Sequence, residues 1–112
     1  MKSFIFLLAA LACLTASGQS AEDQAVMEPI MQLFQGMNQG DSARVRACFA
    51  PDVSLVTLST DKTGKPVSRT DRSIKNFLTA VGTPHAESWS EPIWAVKIQR
   101  QGALAQVWAQ YA

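Results

Sequence analysis

Apolar residues along this chain change period several times, and each change predicts an element. "FIFLLAALACL", Phe4 to Leu14, is an unbroken apolar run of eleven that follows Lys2 and precedes the small residues of "TASGQS". Beyond it, Val26, Met27, Ile30, Met31, Phe34 and Met37 recur at intervals of three and four. That spacing puts them on one face of a helix reaching about Asn38. Ser20 is its candidate N-cap, with Asp23 at the reciprocating capping-box position. Pro29 removes a helical hydrogen bond and crowds the carbonyl four residues back. Either the first turn is irregular, or the helix proper opens near Met27 with Pro29 in its opening turn. Three methionines on the apolar face read as soft core packing rather than a cofactor box.

Gly40 closes that helix and Asp41 caps the next, because glycine accepts a left-handed backbone and aspartate binds free N–H groups. "DSARVRACF" predicts a short helix with Val45, Cys48 and Phe49 inward and Arg44 and Arg46 outward. Pro51 ends it by biasing Ala50 out of the helical region. "VSLVTL", Val53 to Leu58, is rich in β-branched residues and predicts a strand. "STDKTGKP" is a polar turn, and Val67 belongs to a short return strand. Ile74, Phe77, Leu78 and Val81 then form the stripe of a third helix, with Thr70 or Ser68 as cap, Asp71 in its first turn and Gly82 at its end. Ile93 to Arg100 alternates as a strand, with Trp94, Val96 and Ile98 on one face. A turn at Gln101 and Gly102 returns the chain as Leu104 to Tyr111, which is a hairpin pattern. Pro92, lacking an N–H, belongs at a strand start or edge. Strands and crossover helices do not alternate, so the order predicts an α+β fold with helices on one face of an antiparallel sheet.

The 112 residues are 47% hydrophobic and 17% charged with net charge +1, which bounds the chain to one small globular domain. The N-terminal run reads as a secretory signal, residues 1–18, cleaved after Gly18 to leave a 19–112 domain in the periplasm or outside the cell. Eleven apolar residues are too few for a membrane span. The alternative is a lipoprotein modified at Cys13 in "LAC". The mature segment carries nine basic and nine acidic side chains. Such a balance gives no long-range attraction to nucleic acid or an anionic membrane. Cys48 is then the only cysteine, so no internal disulfide forms.

"MEPIMQLFQGMNQGDSARVRACFAPDVSLV" and "GALAQVWAQYA" carry a resemblance. The long first helix ending near Asn38, Gly40 and Asp41, the short amphipathic helix, and "FAPDV" at Phe49 to Val53 resemble the nuclear-transport-factor-2-like superfamily. Within it the chain is most similar to the secreted SnoaL-like, lumazine-binding branch. The resemblance covers about Asp23 to Ala112. It implies a cone: three helices packed on a strongly curved antiparallel sheet, with a cavity at the open end. It also implies further strands beyond Leu104–Tyr111, so the last strand or strands of the cone are missing here, or the sheet is completed across a dimer. Superfamily isomerases use a first-helix tyrosine and cavity carboxylates, whereas this first helix has Phe34 and methionines.

Candidate chemistry is sparse. His85, the only histidine, sits two residues from Glu87, which can orient its imidazole for general-base work. Asp52 stands where a helix hands over to a strand and is the candidate carboxylate. A solvated loop histidine and a turn aspartate are the plainer readings of both. One histidine and one cysteine do not make a structural zinc site, and no metal or cofactor is expected. No glycine-rich phosphate loop or nucleophile elbow is present. Aromatic side chains line cavities and interfaces well, which makes Phe34, Trp94, Trp108 and Tyr111 the candidate ligand contacts for a small apolar or aromatic molecule. On the last strand Leu104, Gln106, Trp108 and Gln110 share one face, the surface through which a homodimer would meet sheet to sheet. The sequence therefore supports a small-molecule-binding domain. An isomerase- or dehydratase-type enzyme using His85 and Asp52, and a non-catalytic interaction module, are the alternatives.

Overall fold

The computed structural model describes residues 20–112; the expected signal segment and the candidate lipidation site at Cys13 lie outside them. The order is α1 (Ala21–Gln39), α2 (Ser42–Ala47), β1 (Leu55–Thr60), β2 (Pro66–Asp71), α3 (Lys75–Gly82), β3 (Ile93–Gln101) and β4 (Leu104–Tyr111). Among the described residues no helix is long and apolar enough to cross a membrane.

The first helix begins at its predicted cap: Ser20 Oγ accepts the Asp23 N–H at 3.1 Å. The reciprocal half of the capping box does not form, because the Asp23 carboxylate instead accepts from Arg100 Nε at 2.8 Å. Pro29 lies inside a continuous helix rather than in its opening turn. Gly40, at φ 66°, closes α1 and sends its N–H to the Met37 carbonyl. Asp41 then caps α2 through the Arg44 N–H at 3.0 Å.

The core sits where the three helices meet. Met37, Val45 and Val81 are buried together, with Leu33, Phe34, Phe49, Phe77, Leu78 and Trp89 packed around them. Arg44, predicted to point away from the core, lies half-buried along α1. Its guanidinium donates to Gln32 at 2.8 and 2.6 Å, to Gln35 at 2.8 Å and to Gln39 at 2.9 Å. Three glutamine carbonyls one helical turn apart thus clasp the planar fork and pin α2 to α1.

The strands correct the expected cone. Among the described residues β1 pairs only with β2, and β3 only with β4, giving two separate antiparallel two-stranded sheets. Neither sheet closes or curves around a helix. A cone needs strands from both hairpins hydrogen-bonded into one sheet, and no such pairing joins them. Two-stranded ribbons satisfy their twist locally and lack the width to wrap another element. β4 is thus one arm of a hairpin with β3 rather than a strand within a curved sheet.

Two local details depart from the sequence pattern for physical reasons. The return strand β2 is longer than expected and absorbs Ser68 and Thr70, so neither caps α3. The entry to α3 is made instead by Asp71, whose Oδ1 accepts from the Ser73 and Ile74 N–H groups at 2.9 and 3.1 Å. Those bonds hold Ile74 at φ 49°, a left-handed conformation costly for a β-branched residue, with its side chain buried. The second departure is a register shift between Trp94 and Lys97, with Ala95 at φ 52°. This bulge flips Trp94 to the face of Lys97 and Gln99, away from half-buried Val96 and Ile98. Arg100, on the inner side, ties the β3–β4 hairpin to α1 through Asp23 and, at 3.4 Å, Glu22.

Candidate functional site

The loop between α3 and β3 carries the only histidine, and the fold gives that loop a definite shape. α3 ends with orphan carbonyls, as every helix does. The Thr79 carbonyl accepts from both the Thr83 N–H, at 3.1 Å, and the Thr83 hydroxyl, at 2.7 Å. The Ala80 carbonyl lies 2.7 Å from His85 Nε2. A carbonyl only accepts, so Nε2 carries the hydrogen and donates. In the neutral ring Nδ1 is then the free acceptor.

Trp89 then stacks on the imidazole, with ring centroids 3.9 Å apart and planes inclined by 12°. Trp89 also packs against the core of Met37, Val45 and Val81, so the histidine is held in place by the hydrophobic core. The Ser88 hydroxyl donates to Asn38 Oδ1 and fastens the loop to the last turn of α1. A cleft of about 340 Å³ opens between these pieces. Its walls are Asn38 and Gly40 at the end of α1, Gly82 and Thr83 at the end of α3, and His85, Glu87 and Ser88 on the loop. Beyond Asn38 a smaller groove of about 180 Å³ continues along Met31, Phe34, Ser90 and Glu91.

Glu87 lines the cleft but makes no hydrogen bond to His85, whose orientation comes from Ala80 and Trp89 instead. Asp52 is exposed in the segment before β1 and does not line the cleft that holds His85. Phe34 is half-buried and faces the smaller groove. Trp94 and Trp108 stand on the outer face of the β3–β4 hairpin, 47% and 64% exposed. Tyr111 pairs with Ile93 on the other face. The four aromatic candidates are therefore spread over separate surfaces and share no single cavity. Among the described residues no cluster of three or more histidine, cysteine, aspartate or glutamate side chains is placed to hold a metal ion.

Asn38, Ser88 and Trp89 are not among the candidate site residues read from the sequence. "HAESW" places His85 and Trp89 four apart in a segment without helical character, so their spacing predicted no contact. Only the turn that brings the loop back onto α3 stacks the rings.

Comparison with known proteins agrees with the resemblance in the sequence. A family model described as "Putative lumazine-binding" matches residues 21–112. No curated protein matches the chain, and no solved structure does.

Proposed function

The chain belongs to the lumazine-binding family of the nuclear-transport-factor-2-like superfamily, and from that premise we propose that it binds a small, planar, polar heterocycle in the His85 cleft. One observation carries this reading: a cleft with polar walls has a histidine ring held at its edge by a stacked tryptophan. A volume near 340 Å³ lies at the small end of ligand pockets, room for a two-ring heterocycle of the lumazine type. Such a ligand presents ring N–H and carbonyl groups. Asn38, Ser88, Glu87 and His85 Nδ1 supply matching acceptors and donors, and the imidazole offers a flat surface for stacking. Phe34, in the groove past Asn38, would meet an apolar substituent.

Binding without catalysis is favoured over the isomerase- or dehydratase-type alternative. That chemistry asks for His85 and Asp52 at one substrate, and this cleft holds only the first. The test is a titration with lumazine read by tryptophan fluorescence. Saturable quenching is expected, weakened about tenfold or more in His85→Ala, which loses a stacking surface and a hydrogen bond. No saturable quenching, or equal affinity in the variant, overturns the reading.

A second reading concerns partners. Trp94, Leu104 and Trp108 are 47%, 72% and 64% exposed on one face of the β3–β4 hairpin. Large apolar side chains gathered this way suit an interface between two copies of the chain. Sedimentation should then find a dimer that Trp108→Lys dissociates; a monomer at micromolar concentration refutes it. Export is part of the same proposal. With the signal cleaved after Gly18, the exported protein starts at Gln19, and an intact Met1 by mass determination counts against this.

A further inference from the structure

A second cleft, apart from His85, lies where one face of the β1–β2 hairpin meets α3. It measures about 380 Å³ and is lined by Leu55, Thr57, Arg69, Asp71, Asn76 and Phe77 among others. The register explains why these side chains converge. Leu55 is paired with Asp71 and Thr57 with Arg69, so all four project from the same face of the ribbon. The first turn of α3 adds Asn76 and Phe77.

The chemistry of these residues is unusually complete for a surface cleft. Leu55 and Phe77 are half-buried and give an apolar floor, with Phe77 set edge-on against Phe49 at 6.4 Å and 88°. The Asp71 carboxyl is held below its ordinary pKa, first by the Ser73 N–H, then by the Ile74 N–H and Ser73 hydroxyl, with the nearby Arg69 charge adding to them. It is therefore an anion at neutral pH. All three of those hydrogen bonds fall on Oδ1, and Oδ2 is left open. The Arg69 guanidinium makes no hydrogen bond or ion pair among the described residues, although it is two residues from Asp71 on the same strand face. Residues so placed stand roughly 7 Å apart along a strand.

A cation and an anion therefore stand side by side, each with bonding capacity to spare, over an apolar floor. A simple anion drawn to Arg69 is repelled by Asp71, and a simple cation meets the reverse problem. A molecule carrying both charges on two groups bonded to one carbon satisfies both, with its carboxylate on the guanidinium and its ammonium on Oδ2. Its apolar part then covers Leu55 and Phe77, while the Thr57 hydroxyl and the Asn76 amide remain for its polar edge. We propose that this cleft is a binding site for a small zwitterion with an apolar body, the class of free apolar α-amino acids.

The experiment is an NMR titration of the isotope-labelled protein with L-phenylalanine, hydrocinnamate and phenethylamine. The last two keep the ring and lose one charge each. L-Phenylalanine should give saturable shifts at the amides of Leu55, Thr57, Arg69 and Asn76. Each single-charge analogue, and Arg69→Gln with L-phenylalanine, should bind roughly tenfold more weakly or worse. Asp71 is left unsubstituted because it also anchors α3; the analogue lacking an ammonium probes its role without disturbing the fold. His85→Ala should leave these shifts unchanged, separating this site from the first cleft. Absence of saturable shifts, or hydrocinnamate binding as tightly as L-phenylalanine, overturns the proposal.

Discussion

Replacing Gly36 by alanine sets two effects of similar size against each other. Gly36 lies inside α1, where alanine is favoured over glycine by about 1 kcal/mol through helix propensity alone. In isolation the substitution should therefore stabilise. The packing argues the other way. A Cβ at Gly36 would stand 2.8 Å from Val45 Cγ2 and 3.3 Å from both the Asp41 carbonyl oxygen and the Val45 nitrogen. Val45 is fully buried, and as a β-branched residue it has little rotamer freedom with which to retreat. The two backbone atoms belong to the capped first turn of α2 and cannot move without loosening the Asp41 cap. Overpacking of this kind costs about 1–3 kcal/mol. With three neighbours unable to yield, the upper half of that range applies, and the net loss is about 1–2 kcal/mol.

For a domain of this size such a loss lowers Tm by about 5–15 °C, measurable by far-ultraviolet circular dichroism. Gly36→Ala in a Val45→Ala background supplies the internal check. There the valine methyl is gone, so the double variant should lose less than the sum of the singles by about 0.5 kcal/mol or more. A Tm unchanged or raised in Gly36→Ala would refute the close α1–α2 approach and with it the placement of the core.

Further outcomes follow from the same structure. Arg44→Lys keeps the charge but not the planar fork that reaches Gln32, Gln35 and Gln39, so it should lose about 1–2 kcal/mol in chemical denaturation despite its apparent conservatism; equal stability would show the clasp to be incidental. Asp71 has a depressed folded-state pKa, so its contribution is present above the unfolded pKa and fades as pH falls through the folded value. Stability should therefore decline from about pH 4 downward, and Asp71→Asn should flatten that decline while lowering stability at neutral pH; an unchanged acid slope would contradict the assignment. Asp61, held low first by the Thr63 hydroxyl and then by the Lys65 and Thr63 N–H groups, should add to the same acid-side loss, and Asp61→Asn should remove its share.

Local interactions were the legible part of this protein. The Ser20 and Asp41 caps, the Gly40 stop and the β3–β4 turn depend on neighbours within a few residues, and the structure has each of them. The candidate site was legible only in part. His85 was found because it is chemically unusual, whereas Trp89, Asn38 and Ser88 are ordinary residues that matter only through where the loop carries them. Arg69 and Asp71 escaped notice for another reason. With β2 read as a stub around Val67 and Asp71 assigned to a helix, nothing placed them on one strand face. The register against Leu55 and Thr57 does.

Sequence alone determined the helices, the hairpin arms, the α+β class and the family, because periodicity, caps and turn residues act over one or two turns of chain. Tertiary structure decided which strands pair, that the two ribbons stay separate instead of merging into a curved sheet, and that Ala95 turns Trp94 outward. Those outcomes depend on hydrogen bonds and packing between residues distant in the chain. No local pattern encodes which of several compatible edges a strand will choose.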